Sequence, residues 1–148
     1  TLSSAASDVY KRQTLTSTIT EIITLNGQAH GNTNTHEVAS QGEATSRVMS
    51  CATANTTLMN LGTVDSAGTI VGDEMKYMRI TNLDDTNFVT LSFYTGDTYY
   101  KVKLQAGESH IHMNNQMAIG SASLSDMSMV KGQANTLACD IEITTISA

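Results

Sequence analysis

KYMRITNL, DDT, NFVTLSFY, TGDT, YYKVKLQ, AGE, SHIHM: residues 76–113 alternate between patterned segments and turn signals. In the first segment Met78 and Ile80 share a face with Lys76 at its edge, and Tyr77, Arg79, Thr81 and Leu83 share the other. Val89, Leu91 and Phe93 then oppose Phe88, Thr90, Ser92 and Tyr94. Tyr100, Val102 and Leu104 oppose Lys101 and Lys103, and Ile111 and Met113 oppose His110 and His112. A period of two belongs to strands with one buried face, and intervals this short join antiparallel neighbours. The stretch therefore predicts a four-strand meander.

The rest of the chain extends that reading. Its 148 residues match one ordinary domain with a core of its own. Thr and Ser abound, Pro and Trp are absent, and charged residues make up only 15%. Thr suits the solvent face of a strand, because its β-branch favours extended backbone and its hydroxyl meets water. The formal charge is −6, with scattered cations and Lys101 and Lys103 as the nearest thing to a patch. That argues against a nucleic-acid groove, which needs several cations on one surface. No apolar run approaches a membrane span, and no secretory leader is evident.

Ser3–Gln13, SSAASDVYKRQ, resembles translated sequencing-adapter DNA, so residues 1–13 are set apart as an arm of doubtful sequence and 14–148 are read as one β-sandwich domain. In TLTSTITEIITLNG, Leu15, Ile19, Ile23 and Leu25 lie in one phase and the threonines in the other. Glu21 on the apolar face and Ile22 on the polar one suggest a bulge or an interface edge near there, and Asn26-Gly27 a tight turn. HGNTNTHEVASQG, residues 30–42, reads as a loop. RVMSCAT and NTTLMNLG read as strands, with a helix over 44–54 as the competitor that their Ser and Thr disfavour. After Met113, the pairs Met117/Ile119 and Met127/Met129 suggest short strands broken by Gly120 and by Lys131-Gly132. In LACDIEITTIS, Leu137, Cys139, Ile141 and Ile143 face inward, a pattern for a strand inside a sheet. Roughly eight to nine strands and no helix predict an all-β fold, one antiparallel β-sandwich or jelly roll.

The chemistry these residues offer is sparse. His110 and His112 would stand on one face of a strand about 6.5–7 Å apart, the best metal candidates. They need further ligands, and only His30, His36, Glu37 and Glu108 are available; the plain alternative is a solvated or intersubunit pair. Asp84, Asp85 and Asn87 share one turn, which suits either a hard cation or ordinary amide capping. Cys51 and Cys139 permit at most one internal disulfide, and the apolar company of Cys139 favours buried free thiols. No nucleophile elbow and no phosphate loop occur, so no catalytic, cofactor or metal residue is assigned. Tyr77, Phe88, Tyr94, Tyr99 and Tyr100 can form a platform for a carbohydrate or protein, or simply pack across strands.

The Arg-Ile-Thr-Asn-Leu-Asp strand, the Thr-Asn-Phe-Val strand and the Leu-x-x-Gly-Glu-Ser turn that follows resemble small all-β virion structural proteins of tailed bacteriophages. These include capsid decoration or cement proteins and tail or fibre components. The resemblance implies a homo-oligomer, often a trimer, located in the virion, without catalysis or cofactor and without direct contact to nucleic acid or membrane. It gives Arg79, Asn82, Asp84, Asn87, Gly107 and Glu108 structural roles in turns and hairpin ends. The leading expectation is a protein that binds neighbouring capsid subunits and reinforces the shell. The alternative is a phage tail or fibre module that contacts a glycan or protein. A third is a metal-dependent, cupin-like enzyme, which requires His110 and His112 to point into a barrel.

Overall fold

Alternation at period two is realised through nearly the whole of the computed structural model, which describes residues 14–39, 43–62, 69–72, 74–114 and 126–147. Residues 1–13, and with them the arm, lie outside the described residues, as do Met117, Ile119 and Gly120. The described residues form strands β1 (Thr14–Leu25), β2 (Gln28–Ala39), β3 (Glu43–Cys51), β4 (Thr56–Gly62), β5 (Thr69–Val71), β6 (Met75–Asn82), β7 (Val89–Thr95), β8 (Thr98–Leu104), β9 (Ser109–Met113), β10 (Met127–Ala134) and β11 (Cys139–Ser147). They fall in two compact units, one within residues 1–41 and the other within 42–148.

The first unit is a two-stranded ribbon. Asn26 and Gly27 both take positive φ, 51° and 78°, the requirement of a two-residue hairpin turn. From that turn β1 and β2 pair without a break, Leu25 opposite Gln28 through to Thr14 opposite Ala39. Two expectations are corrected here. Residues 30–39 belong to a strand, because a turn that closes two residues away aligns even a polar segment with its neighbour. Glu21 produces no bulge, because it stands on an exposed face that imposes no burial on it.

The second unit is a sandwich of a five-stranded sheet, β5-β4-β10-β7-β8, and a four-stranded sheet, β3-β11-β6-β9. Leu58, Val89, Leu91, Phe93 and Val130 from the first pack against Met78, Ile80, Ile141 and Ile143 from the second, forming one buried apolar cluster. All pairings are antiparallel except β4 with β5. β11 lies between β3 and β6, inside its sheet as its pattern required. β10 continues through Lys131-Gly132 and does not break there. A bulge against β4 takes up the irregularity, and Gly132 supplies the room: a Cβ there would sit 2.8 Å from Cys51 Sγ and Leu58 Cδ1. Leu137 precedes β11 and is exposed, not inward.

The four segments of residues 76–113 are strands, but they are not a meander. Only β7 and β8 form a hairpin; β6 and β9 pair with each other in the opposite sheet. Residues 83–88 and 105–108 thus cross from sheet to sheet. Asn82, fully buried at the end of β6, holds both crossings. Its Nδ2 donates to the carbonyls of Asn87 (2.8 Å), Gln105 (3.2 Å) and Leu104 (3.4 Å), and its Oδ1 accepts from the Asp84 amide at 3.1 Å. Its own amide donates to Glu108 and its carbonyl accepts from Gly107, whose φ is 73°. A buried amide side chain with every group partnered is a strong local constraint. At the other edge of the sandwich Arg47 donates to the Leu58 carbonyl at 2.5 Å, linking β3 to β4.

Candidate interaction surface

Alternation along β8 turns Val102 and Leu104 to the core and Tyr99, Lys101 and Lys103 outward. Pairing then sets Tyr99 against Tyr94, Lys101 against Ser92 and Lys103 against Thr90. On the far side of β7, β10 sets Lys131 against Ser92 and Met129 against Tyr94. Three lysines are thereby gathered on one outer sheet face. Each ammonium group lies over an aromatic ring: Lys103 over Phe88 at 4.0 Å, Lys131 over Tyr94 at 5.2 Å and Lys101 over Tyr99 at 5.4 Å. The Tyr94 and Tyr99 rings lie 4.9 Å apart. Strands β4, β5, β7, β8 and β10 contain no Asp or Glu, so no carboxylate within the sheet neutralises these cations. Sequence inspection found Lys101 and Lys103 but not Lys131, which reaches them only through strand order.

The aromatic platform expected from five residues is smaller. Tyr94, Tyr99 and Phe88 belong to it. Tyr100 stacks on Phe93 at 4.9 Å on the opposite side of β8, 45% exposed yet desolvated enough to raise the pKa of its phenol, and Tyr77 is buried on β6 of the other sheet.

His110 and His112 do share a face of β9, and it is the inner one. They stand opposite Ile80 and Met78, and the His110 ring lies 5.1 Å from that of Phe93, while Ile111 is exposed. Desolvation lowers the pKa of both imidazoles, and the neighbouring His112 adds to the effect on His110. Glu108 accepts the Gln105 amide at 2.9 Å, and His30, His36 and Glu37 lie on the ribbon. Among the described residues no three His, Cys, Asp or Glu side chains converge as a metal site.

Asp84 performs turn chemistry. Its Oδ1 accepts the amides of Thr86 (2.8 Å) and Asn87 (2.6 Å), and these donors hold its pKa below the ordinary carboxylate value. With Leu83, Asp85, Ala138 and Asp140 it borders a recess of about 330 Å³. Arg79 and Glu142 form an ion pair at 2.9 Å across β6 and β11. Cys51 and Cys139 stand opposite each other on β3 and β11 as free, fully buried thiols. Burial raises both pKa values. Their mutual proximity adds to the shift of Cys51, and the Asp84 charge to that of Cys139.

No protein-family model and no curated protein matches the chain. A solved structure described by the words "Bacillus endospore appendages form a novel family of disulfide-linked pili" is similar to it. The identity is 13% and the TM-score 0.47, over 72% of this chain and 85% of that one. That neighbour is a spore appendage, not a bacteriophage protein.

The ribbon offers a second surface. Ile19 (41%), Ile23 (53%) and Leu25 (56%) are exposed along one side of β1, in the same phase as Glu21. The opposite side carries threonines, with Thr18 and Thr35, and Thr20 and Thr33, in hydroxyl contact across the strands. The aliphatic stripe is the apolar phase read from the sequence, and it lies on an exposed side of the ribbon.

Proposed function

We propose that the chain is a non-enzymatic structural subunit that assembles with like subunits, and that it does so in a virion, where it binds neighbouring capsid subunits and reinforces the shell. The observation that carries the assembly reading is the ribbon. A sheet of only two strands is marginal in water, and this one displays an aliphatic stripe of a kind that marks a contact surface. The resemblance of residues 76–113 to phage virion proteins supports the capsid location, and the structural roles of Asn82, Asp84, Asn87, Gly107 and Glu108 at the two crossings agree with it. Sedimentation velocity of the full chain over a concentration series tests the assembly reading. Self-association that weakens on replacing Ile19 and Ile23 by Asn is the expected result, and a monomer throughout would refute it. Imaging of particles that contain the chain tests the location.

A tail or fibre module that contacts a glycan or protein is the second reading, favoured by the exposed Tyr99, its half-buried neighbour Tyr94 and their lysines. A glycan array that returns a ligand lost on Tyr99→Ala would select it. The cupin-like enzyme gains no third ligand for His110 and His112 among the described residues.

A further inference from the structure

We propose that the outer face of the five-stranded sheet is the seat for the β1–β2 ribbon of a second copy of this chain. This rests on the assembly reading above. The argument is complementarity of two surfaces, each of which carries what the other lacks. Between Thr14 and Ala39 the ribbon holds no Lys or Arg, and its aliphatic side carries Glu21; Glu37, paired with Thr16, lies on the threonine side. The five-stranded sheet holds Lys101, Lys103 and Lys131 and no Asp or Glu. In a chain of net charge −6, three cations on one sheet face with no carboxylate in its strands are positioned for an acidic visitor.

The apolar groups match as well. Glu21 is flanked at i−2 and i+2 by Ile19 and Ile23, and Lys101 is flanked at i−2 by Tyr99 and at i+2 by Lys103, whose ammonium lies over Phe88. Both surfaces are strands, so both sequences of groups repeat at about 6.5–7 Å. A carboxylate between two aliphatic side chains therefore meets an ammonium group between two aromatic positions. The lysines are already held over rings, which reduces the ordering that docking requires. A two-stranded ribbon laid on a sheet gains the packing face that it lacks by itself. Each copy has one ribbon and one seat, so the contact is heterologous and propagates into a ring or a filament.

The test uses the full chain in three variants: Glu21→Lys, Lys101→Glu with Lys103→Glu, and all three substitutions together. Every substituted side chain is exposed, and an unchanged far-ultraviolet circular dichroism spectrum confirms the fold. Sedimentation velocity is expected to show that either change alone raises the concentration of half-assembly about tenfold or more, and that the three-residue swap restores it to within about threefold. Wild-type assembly that neither change disturbs overturns this interface and leaves the assembly reading intact. A wild-type chain that stays monomeric overturns both. Binding of heparin as a probe polyanion, lost in the Lys→Glu pair, with no self-association, also overturns the proposal and assigns the face to an anionic polymer.

Discussion

Replacing Asn82 by Leu removes the polar groups that tie both sheet crossings and keeps the branch at Cγ, with a somewhat larger side chain. The substitution takes away the donors to the Asn87 and Gln105 carbonyls and the acceptor of the Asp84 amide, at a site with no exposure to water. The Asn87 carbonyl and the Asp84 amide lose their partner at about 1 kcal/mol each, while the Gln105 carbonyl keeps the Glu108 amide; fitting the larger aliphatic side chain adds strain, giving about 2–3 kcal/mol in all. Unfolding of roughly 100 residues carries an entropy near 0.2 kcal/mol/K, so the melting temperature drops by about 10–15 °C. Urea titration monitored by circular dichroism measures this directly, as a lower midpoint with little change in slope. Asn82→Asp gives a second reading: its carboxylate faces carbonyl oxygens with no proton to donate, so it costs more at neutral pH than Leu does and recovers on acidification. An Asn82→Leu protein within about 0.5 kcal/mol of the parent would falsify the role given to this residue.

Three further outcomes are expected. The imidazoles of His110 and His112 have folded pKa values below the ordinary 6.5, so the unfolded chain binds more protons as the medium acidifies. Stability is thus intact above pH 6.5 and is lost as pH falls through the lower folded values; replacing both histidines by Gln should flatten that slope in urea midpoints measured against pH. Gly132→Ala forces a methyl group against Cys51 Sγ and Leu58 Cδ1 within the core and should cost about 1–3 kcal/mol by denaturant titration, whereas a neutral result would show that the core yields there. The thiols of Cys51 and Cys139 should resist a disulfide reagent such as Ellman's compound in the native protein and react fully in denaturant, because burial both shields them and disfavours their thiolates.

The strands were legible in the chain. Period two is a local property, and it correctly placed Val89, Leu91 and Phe93 inward, Lys101 and Lys103 outward, and β11 within a sheet. The Asn26-Gly27 turn was equally local, since positive φ at two successive residues selects those residue types. Which strand pairs with which was decided only in three dimensions. A short polar interval such as 83–88 can close a hairpin or cross between sheets, and the choice depends on what the buried Asn82 side chain finds to bond. The same limit hid the cationic face, because Lys131 joins Lys101 and Lys103 through a neighbour relation between β10 and β7 that no spacing along the chain encodes. It also hid the sense of the His110 and His112 face. Alternation fixes that two residues share a side, and the burial of their neighbours across the sheet fixes which side that is.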